Sequence, residues 1–514
     1  MPWNTSDEDI IKDCLKKSGL THADVFSASI YKAAVDARKQ QSIKKVCSVL
    51  IDAGEVVEQG LLNRGAKRVA GAVTLSVGGC RKDEKVVIVG FGPAGMFSGL
   101  LLAENGFKPL IIERGEAVEN RAEAIKRFFS GGELNENSNV QFGEGGAGTF
   151  SDGKLTTRIG DSRVRFILET FVKYGAPEEI LRQAKPHIGT DNLQKIVRRI
   201  RERICELGGE VRFNTRLVDI NIRGGRVVSI KTDDTEIECD KLILAIGHSA
   251  HDTVKMLLSK RVNITSKPFS VGVRIEHKQD DIDASLYGEK RHKYRNLPVG
   301  EYQLSKRFPD GRAVYTFCMC PGGKVVASSS ERETIVTNGM SLYARDGENA
   351  NSALCVSVSA EDFGGGPLDG MEFARKIERA AFNVDYCAPA CSTRGFLSDK
   401  PSLADINVTP SYKPGVREAD FREIFPGFVI DTLKIGLNDF SRKLRAFGSG
   451  KAVLTAPETR TSSPVRILRN DGFSSVTLKN LYPCGEGAGY AGGIVSSAAD
   501  GLRTAENIIG GNTE

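Results

Sequence analysis

The 514-residue sequence predicts an α/β fold: a parallel-sheet domain discontinuous in the chain, an α+β domain inserted into it, and a small α/β domain ahead of both. Three observations carry this. The apolar run Val86-Val87-Ile88-Val89 leads into spaced glycines and a helix-compatible stretch, as a buried parallel strand feeding its crossover does. Glycine clusters recur near residue 90, at 142–153 and at 485–493, so distant parts of the chain share similar backbone demands. From about 265 to 450 the pattern changes to alternating strand-like segments with separate helices.

Composition narrows the class. With 40% hydrophobic residues the chain can build sizeable cores, and its length accommodates two to four domains of roughly 100 to 200 residues. Lys plus Arg (71) and Asp plus Glu (65) leave a charge of +6 with no polybasic tail, so no nucleic-acid partner is expected. Eleven scattered cysteines read as a reducing compartment. The opening MPWNTSDEDIIKDC is acidic where a secretory signal is basic then apolar, and no run of about 18 apolar residues follows. A cytoplasmic protein without a membrane span is the expectation.

In chain order, residues 1–83 read as the small domain, with a helix over Asp7–Lys17, a strand over Val46–Ile51 and a linker at Gly78–Glu84. Residues 84–262 begin the parallel-sheet domain. The Val86 strand, a helix over Ala94–Asn105 capped by Gly106, and the strand Leu110–Ile112 fit one βαβ unit of about 30 residues. A charged helix over 116–129 and the glycine-rich 142–153 follow. Leu193, Ile196, Val197, Ile200, Ile204 and Leu207 then recur at helical spacing, with Arg198, Arg199, Arg201 and Arg203 read as a solvated face. Strands are expected at Val211–Phe213, Leu217–Ile222, Val227–Lys231 and Leu242–Ile246. Residues 263–451 form the insert, with strands at Ser270–Glu276, Ala313–Met319 and Ala353–Val358 and helices at Met371–Phe382 and Asp439–Phe447; residues 452–514 return to the first domain.

The chemistry starts at VVIVGFGPAGMFSG. Gly90, Gly92 and Gly95 fall between strand and helix, and Glu113 ends the next strand, 113 − 90 = 23 residues on. That is the Rossmann arrangement: Gly90 permits the tight turn, Gly92 lets backbone amides near a pyrophosphate, Gly95 brings helix to sheet, and the acid reaches a ribose. The competing reading is an ordinary strand-to-helix turn. Several distant glycine loops favour a long cofactor lying across the sheet, FAD, over one needing a single loop.

The longer strings EGGAGTFSDGKL (144–155), FSVGVRIEH (269–277), YTFCMCPGG (315–323), TNGMS (337–341), ETRTSSPVRI (458–467) and YPCGEGAGYAGGIVSSAADG (482–501) resemble the FAD-dependent dehydrogenases, or NAD(P)/FAD-dependent oxidoreductases, of the glutathione-reductase-type flavoprotein fold. The resemblance runs over most of residues 84–510. It implies an FAD-dependent oxidoreductase and no particular substrate. Carried over by position, it places the pyrophosphate at Gly90, Gly92, Pro93, Ala94 and Gly95, the adenosine ribose at Glu113 and Arg114, and the flavin side at Gly145, Gly146, Gly148, Thr149 and Lys154. Ala245 and Gly247 stand at a strand end. Gly485 and Glu486 correspond to the ribityl contact, with Glu where related proteins often carry Asp, and Gly493 and Ile494 open a helix aimed at the flavin.

Other residues remain ambiguous. Cys318 and Cys320 would share one strand face, as a redox dithiol or as buried structural thiols. His248 and His251 follow the strand end at Gly247, as acid–base groups or as hydrogen-bonded loop histidines. The six histidines do not cluster with cysteines at metal-ligand spacing, so no metal is expected, and no residue is assigned as catalytic. A second strand–GxGxxG–helix unit is missing, so electrons would come from a small-molecule organic substrate, from transient NAD(P)H at the flavin face or from a protein donor, and the expected partners are that substrate or an electron donor or acceptor. The alternatives are a flavin monooxygenase or saturase on an apolar substrate, and a non-catalytic FAD-binding redox sensor or scaffold.

Overall fold

Five short segments, apolar except for the last, pair in parallel in the order Leu481–Pro483, Lys241–Leu244, Val86–Val89, Leu110–Ile112, Glu210–Arg212. Numbered along the chain this is 5-4-1-2-3, the doubly wound order. The computed structural model describes residues 1–69, 83–289 and 291–511; the linker expected at Gly78–Glu84 falls outside these except for its last two residues. Val86–Val89 and Lys241–Leu244 are buried at every position, as strands covered on both faces must be. The edge strand Glu210–Arg212 exposes its first and last residues.

Two helices share one face of this sheet. Pro93–Glu104 is buried from Ala94 to Ala103, because Ile494–Ile509 and Thr190–Glu206 pack on it in addition to the sheet. Close approach depends on glycine: a Cβ on Gly501 would lie 2.2 Å from the Ala94 carbonyl oxygen. A three-stranded antiparallel flap, Leu217–Arg223, Arg226–Thr232 and Glu236–Glu238, extends the domain. Gly224 and Gly225 make its first turn with φ of 57° and 71°, the geometry a two-residue hairpin prefers.

The inserted region builds a seven-stranded sheet in the order Ser305–Arg307, Ala313–Cys320, Asn349–Val358, Phe269–Lys278, Val453–Glu458, Ala388–Ser392, Val416–Glu418, antiparallel except for the last pair. Two expectations need correction here. Val453–Glu458 is an interior strand of this sheet, so the boundary expected at 451/452 comes one strand early; the chain crosses back before Val465–Ile467, which pairs with Ile264–Ser266. The helix expected at Asp439–Phe447 instead spans Gly427–Lys443, with a 3₁₀ turn at Arg445–Gly448. Its buried face, Val429, Ile430, Leu433, Leu437 and Phe440, starts well upstream, and Gly427 and Gly436 obscured the pattern. Gly436 sits there because a Cβ would come within 2.6 Å of Val314.

The N-terminal unit is the hairpin Ser27–Asp36 and Lys44–Asp52 with the helix Asp7–Lys17, whose N-cap Ser6 accepts from the Asp9 amide. It docks through Ala33, which donates to Arg182 O (2.8 Å) and accepts from Ala184 N (3.0 Å), and through Trp3 Nε1 donating to Arg295 O at 2.7 Å.

One buried group makes this fold acid-sensitive. His277, on the Phe269–Lys278 strand, is packed against Phe447 (4.8 Å between ring centroids), and neither ring nitrogen has a hydrogen-bond partner among the described residues. Burial lowers its pKa from 6.5 to about 3. The unfolded chain therefore takes up a proton below pH 6.5 that the folded one excludes, and stability falls with pH by about 1.4 kcal/mol per unit in that range. Denaturant unfolding at pH 7 and pH ~5 should show a smaller loss for His277→Phe than for the parent; equal losses would contradict this assignment.

Candidate functional site

The carboxyl ends of the parallel strands open into a cleft of about 1020 Å³ that also reaches the seven-stranded sheet. Such a position, outside the strand ends of a doubly wound sheet, is where ligands bind in this architecture. Of the residues expected at the site, all but Gly95, Gly145, Thr149 and Gly485 line it. Those four stand behind the lining. Gly95 faces the sheet, where a Cβ would meet Gly90 O at 2.0 Å. Gly145 donates to Phe91 O (2.8 Å), Thr149 Oγ1 to Glu144 O (3.3 Å), and Gly485 N to Asp500 Oδ2 (2.7 Å).

Gly90 and Gly92 differ in what they demand. Gly90 has φ 96°, and a Cβ on it would strike Ala245 O at 2.4 Å, so the fold itself requires glycine there. Gly92 has φ −77° and its nearest neighbour to a Cβ is Gly146 Cα at 3.7 Å. The chain's own packing thus leaves room for a side chain at Gly92; the glycine keeps open space for a group outside the chain. It also caps the Pro93–Glu104 helix, whose first-turn amides and positive dipole end face the cleft. Gly493 caps Ile494–Ile509 in the same way, and Gly492 has nothing within 4 Å of a Cβ. The donor set and the open cradle fit an extended, phosphate-bearing dinucleotide.

Glu113 is more committed than its sequence position suggested. Its carboxylate accepts from Phe91 N (2.8 Å), Gly115 N (3.0 Å) and Gly143 N (3.0 Å), tying the glycine turn to the 142–154 loop. Of about four lone-pair sites on a carboxylate, one is left for a ligand. Arg114 pairs with Asp252 and lies over the Phe142 ring at 4.4 Å.

Arg121, unremarked in the sequence, shapes that loop. Fully buried, it donates to Asn139 O (2.9 Å), Glu144 O (2.6 Å), Val140 O (3.1 Å) and Gly146 O (3.0 Å). Arg201 also departs from a solvated face: it pairs with buried Glu144 at 3.0 Å. Burial raises Glu144 from 4.5 to about 7 despite that partner. A second buried pair, Arg469 and Asp500 at 2.6 Å, holds the Gly485 amide and the Pro483 carbonyl, and so fixes the Gly485-Glu486 turn. Neither Arg121 nor Asp500 carried a clear sequence signal: Arg121 lies on a helix among acids, and Asp500 is a single charge between small residues.

The wall contributed by the seven-stranded sheet holds buried charge. Arg274 donates to both Glu458 oxygens (2.9 and 3.1 Å) and to Cys318 O (2.9 Å); Lys154 donates to Met319 O and pairs with Asp152 (2.8 Å), which also pairs with Arg345. Cys318 and Cys320 do not share a face. A bulge between Phe317 and Cys320, with Cys318 at φ 46°, interrupts the alternation, so that Cys318 lines the cleft while Cys320 is buried. His248 also lines the cleft, its Nδ1 3.4 Å from Glu486. His251 begins a helix and is held between Glu331 (2.7 Å) and Arg460 (2.8 Å), and burial lowers its pKa.

Residues 84–257 match the family model described as pyridine nucleotide-disulphide oxidoreductase, and residues 268–461 the one described as FAD-dependent protein, C-terminal domain-like. A Clostridium beijerinckii protein, described as uncharacterized, is 45% identical over 509 residues, 97% of this chain and 95% of its own. Among solved structures, similarity extends to glycine oxidase from Bacillus cereus (12% identity, 84% of this chain and 96% of that one, TM-score 0.33). It extends also to glycerol-3-phosphate dehydrogenase from Bacillus halodurans, complexed with FAD (12%, 84% and 65%, TM-score 0.36). At those scores neither structure bears on function. No helix among the described residues is long and apolar enough to cross a membrane.

Removing Arg121 takes a donor from four carbonyls and leaves those of Asn139 and Val140 with no other donor among the described residues, while Thr149 still serves Glu144 O and Gly146 O. Arg121→Met should lower unfolding stability by about 3 kcal/mol or more, as read by denaturant titration; a loss below ~1 kcal/mol would show that the loop holds itself.

Proposed function

The chain belongs to the family of FAD-dependent oxidoreductases, and on that premise we propose that its cleft holds FAD noncovalently and exchanges two electrons with a small-molecule substrate, donor or acceptor. The observation that carries the reading is that two helix N-termini, at Gly92 and Gly493, 493 − 92 = 401 residues apart in sequence, open on one cleft. As an oxidoreductase the protein is an enzyme, so the alternative of a non-catalytic sensor or scaffold falls.

Bound FAD supplies the two-electron chemistry that the side chains lack. The chain supplies position and field. The Pro93–Glu104 N-terminus, with Gly90, Gly92, Pro93 and Ala94, takes the pyrophosphate, and Glu113 offers its remaining lone pair to a ribose hydroxyl. Gly146, Gly148 and Lys154 flank the flavin side, with Ala245, Gly247 and Glu486 along the length of the cofactor. Gly493 and Ile494 aim amide dipoles at it, and together with Lys154 they favour the negative charge that arrives on reduction. Gly95, Gly145, Thr149 and Gly485 hold these groups from behind. Residues 84–262 and the segment after Glu458 form the cofactor half, and the intervening sheet covers the substrate half and excludes water. One dinucleotide fold supports an organic donor, or NAD(P)H visiting the open cleft, over a dedicated nicotinamide domain. The scattered thiols, unpaired among the described residues, support a reducing, cytoplasmic setting.

The purified protein should be yellow and release FAD on heating; release of FMN, or a colourless protein that refuses FAD, would end this reading. Gly92→Val should fold, with an unchanged circular dichroism spectrum, and bind FAD about 100-fold more weakly, a loss of about 2.7 kcal/mol. Full occupancy in that variant would mean the turn is only a turn. An anaerobic screen for compounds that bleach the flavin absorbance identifies the electron donor.

A further inference from the structure

We propose that Cys318 and Cys320 form a redox-active thiol pair in the substrate half of the cleft, with Cys318 attacking a small anionic disulfide and Cys320 resolving the product. This rests on the FAD reading above only for the electrons that restore the pair.

The geometry singles out Cys318. It is a non-glycine residue held at φ 46° inside a strand, a conformation that persists only where the surroundings impose it and that collects at functional sites. What imposes it is visible. Arg274 takes the carbonyl of Cys318 at 2.9 Å, Lys154 takes the carbonyl of the next residue, Met319, and Cys320 Sγ donates to Cys318 O at 3.4 Å. The bulge turns Cys318 into the cleft between Phe317 and Met319, which line it too, and leaves Cys320 buried directly behind.

The charges around the pair are unbalanced in one direction. Lys154, Arg274 and Arg345 face Asp152 and Glu458; Glu301 is shared between Arg345 and Lys185, and the remaining neighbours, Cys355 and Tyr302, are neutral. Three cations against two carboxylates leave one positive charge, which a thiolate at Cys318 neutralises. In keeping with this, the hydrogen bond from Cys320 and the charges of Lys154 and Arg274 outweigh burial and hold the Cys318 thiol well below the usual thiol range, while Cys320 is pushed above it. A nucleophilic thiolate in front and a protonated thiol behind is the order that thiol–disulfide exchange needs.

The exchange balances without a further reactant. The Cys318 thiolate attacks one sulfur of R–S–S–R, that bond breaks, and R–S⁻ leaves with a Cys318–S–S–R bond formed. Cys320 gives up its proton, its sulfur displaces the second R–S⁻ from Cys318, and the proton passes to a departing thiolate. The substrate disulfide has gained two electrons and the cysteine pair has lost them as an intramolecular disulfide. Two electrons and one proton through the enzyme's flavin activity return the pair to its starting state, a thiolate at Cys318 and a thiol at Cys320. The anionic preference follows from the cleft lining, where exposed Arg158 and Arg307 have no ion-pair partner among the described residues.

The test uses the flavin-loaded enzyme treated with oxidised glutathione, an anionic disulfide, then denatured, alkylated and mapped by mass spectrometry. The parent should lose two alkylatable thiols as a Cys318–Cys320 disulfide. Cys320→Ser should trap a glutathione adduct on Cys318, and Cys318→Ser should form neither product. Cystamine, a cationic disulfide, should react about tenfold more slowly at low salt, the difference shrinking as salt is added. Alkylation of Cys318 by iodoacetamide should stay nearly flat from about pH 9 to about pH 7, where an ordinary thiol slows steeply. Retention of both thiols in the parent together with no adduct in Cys320→Ser overturns the pair. Equal rates with the two disulfides overturn the anionic preference. Flavin absorbance, recorded on each variant beforehand, reports separately on the cofactor reading.

Discussion

Everything at the cleft depends on the contact between two helices from opposite ends of the parallel-sheet domain. Pro93–Glu104 and Ile494–Ile509 meet where Gly501 lies against the Ala94 carbonyl, at a distance that admits no side chain. That contact is possible only because Leu481–Pro483 has joined the sheet beside Lys241–Leu244. Once it is made, the N-termini of both helices open on the same cleft, and Arg469 with Asp500 locks the turn before the second helix by taking a carbonyl and an amide from it. A single glycine thus determines whether the cleft has one electropositive end or two.

The second principle of construction is that loops here are shaped by buried charge. Arg121 organises four carbonyls of the 139–146 segment, Glu113 three amides of the turns around it, and Arg274 fixes the bulge at Cys318. Pairs of this kind return little net stability, because desolvation offsets most of their attraction. Their effect is conformational: a guanidinium with five donors in a fixed plane accepts few arrangements of the carbonyls around it. The cleft therefore has a definite shape without a continuous hydrophobic lining. Because Glu113 serves both as a loop clamp and as a proposed ribose partner, its removal would affect folding and binding together.

What the sequence made legible were demands on the backbone. The apolar strand, the glycines after it and the small residues of the C-terminal helix each reflect a close approach that few residues allow, so the parallel sheet, the glycine turn and the return of the C-terminus could be read directly. Partnerships across the fold were not legible. Arg121 sits on a helix among acids and reads as surface; its burial is decided by a loop that follows it. Arg201 reads the same way and instead reaches a carboxylate buried under that loop. The strand pattern around Cys318 predicts two cysteines on one face, because nothing local marks the bulge; Arg274 and Lys154 create it from other strands and loops. The helix Gly427–Lys443 was masked by Gly436, a residue chosen for contact with Val314 and not for helix propensity.

This division of labour has a consequence for chemistry. The proposed cofactor contacts come from the ends of parallel strands and from helix N-termini, elements whose backbone fixes them whatever their side chains. The opposite wall comes from an antiparallel sheet, where a residue's direction depends on alternation and can be reset by one bulge. A change in the Ala313–Cys320 strand alters what the cleft presents to a substrate while leaving the helix that carries Gly92 untouched, since the two share no hydrogen-bond ladder. Cys318 stands on the adaptable wall, yet its direction is fixed by Lys154, which belongs to the glycine-rich loop of the cofactor half. The thiol's orientation is therefore coupled to the cofactor side through one ammonium group, and movement of that loop would change both the charge beside Cys318 and the bulge that presents it.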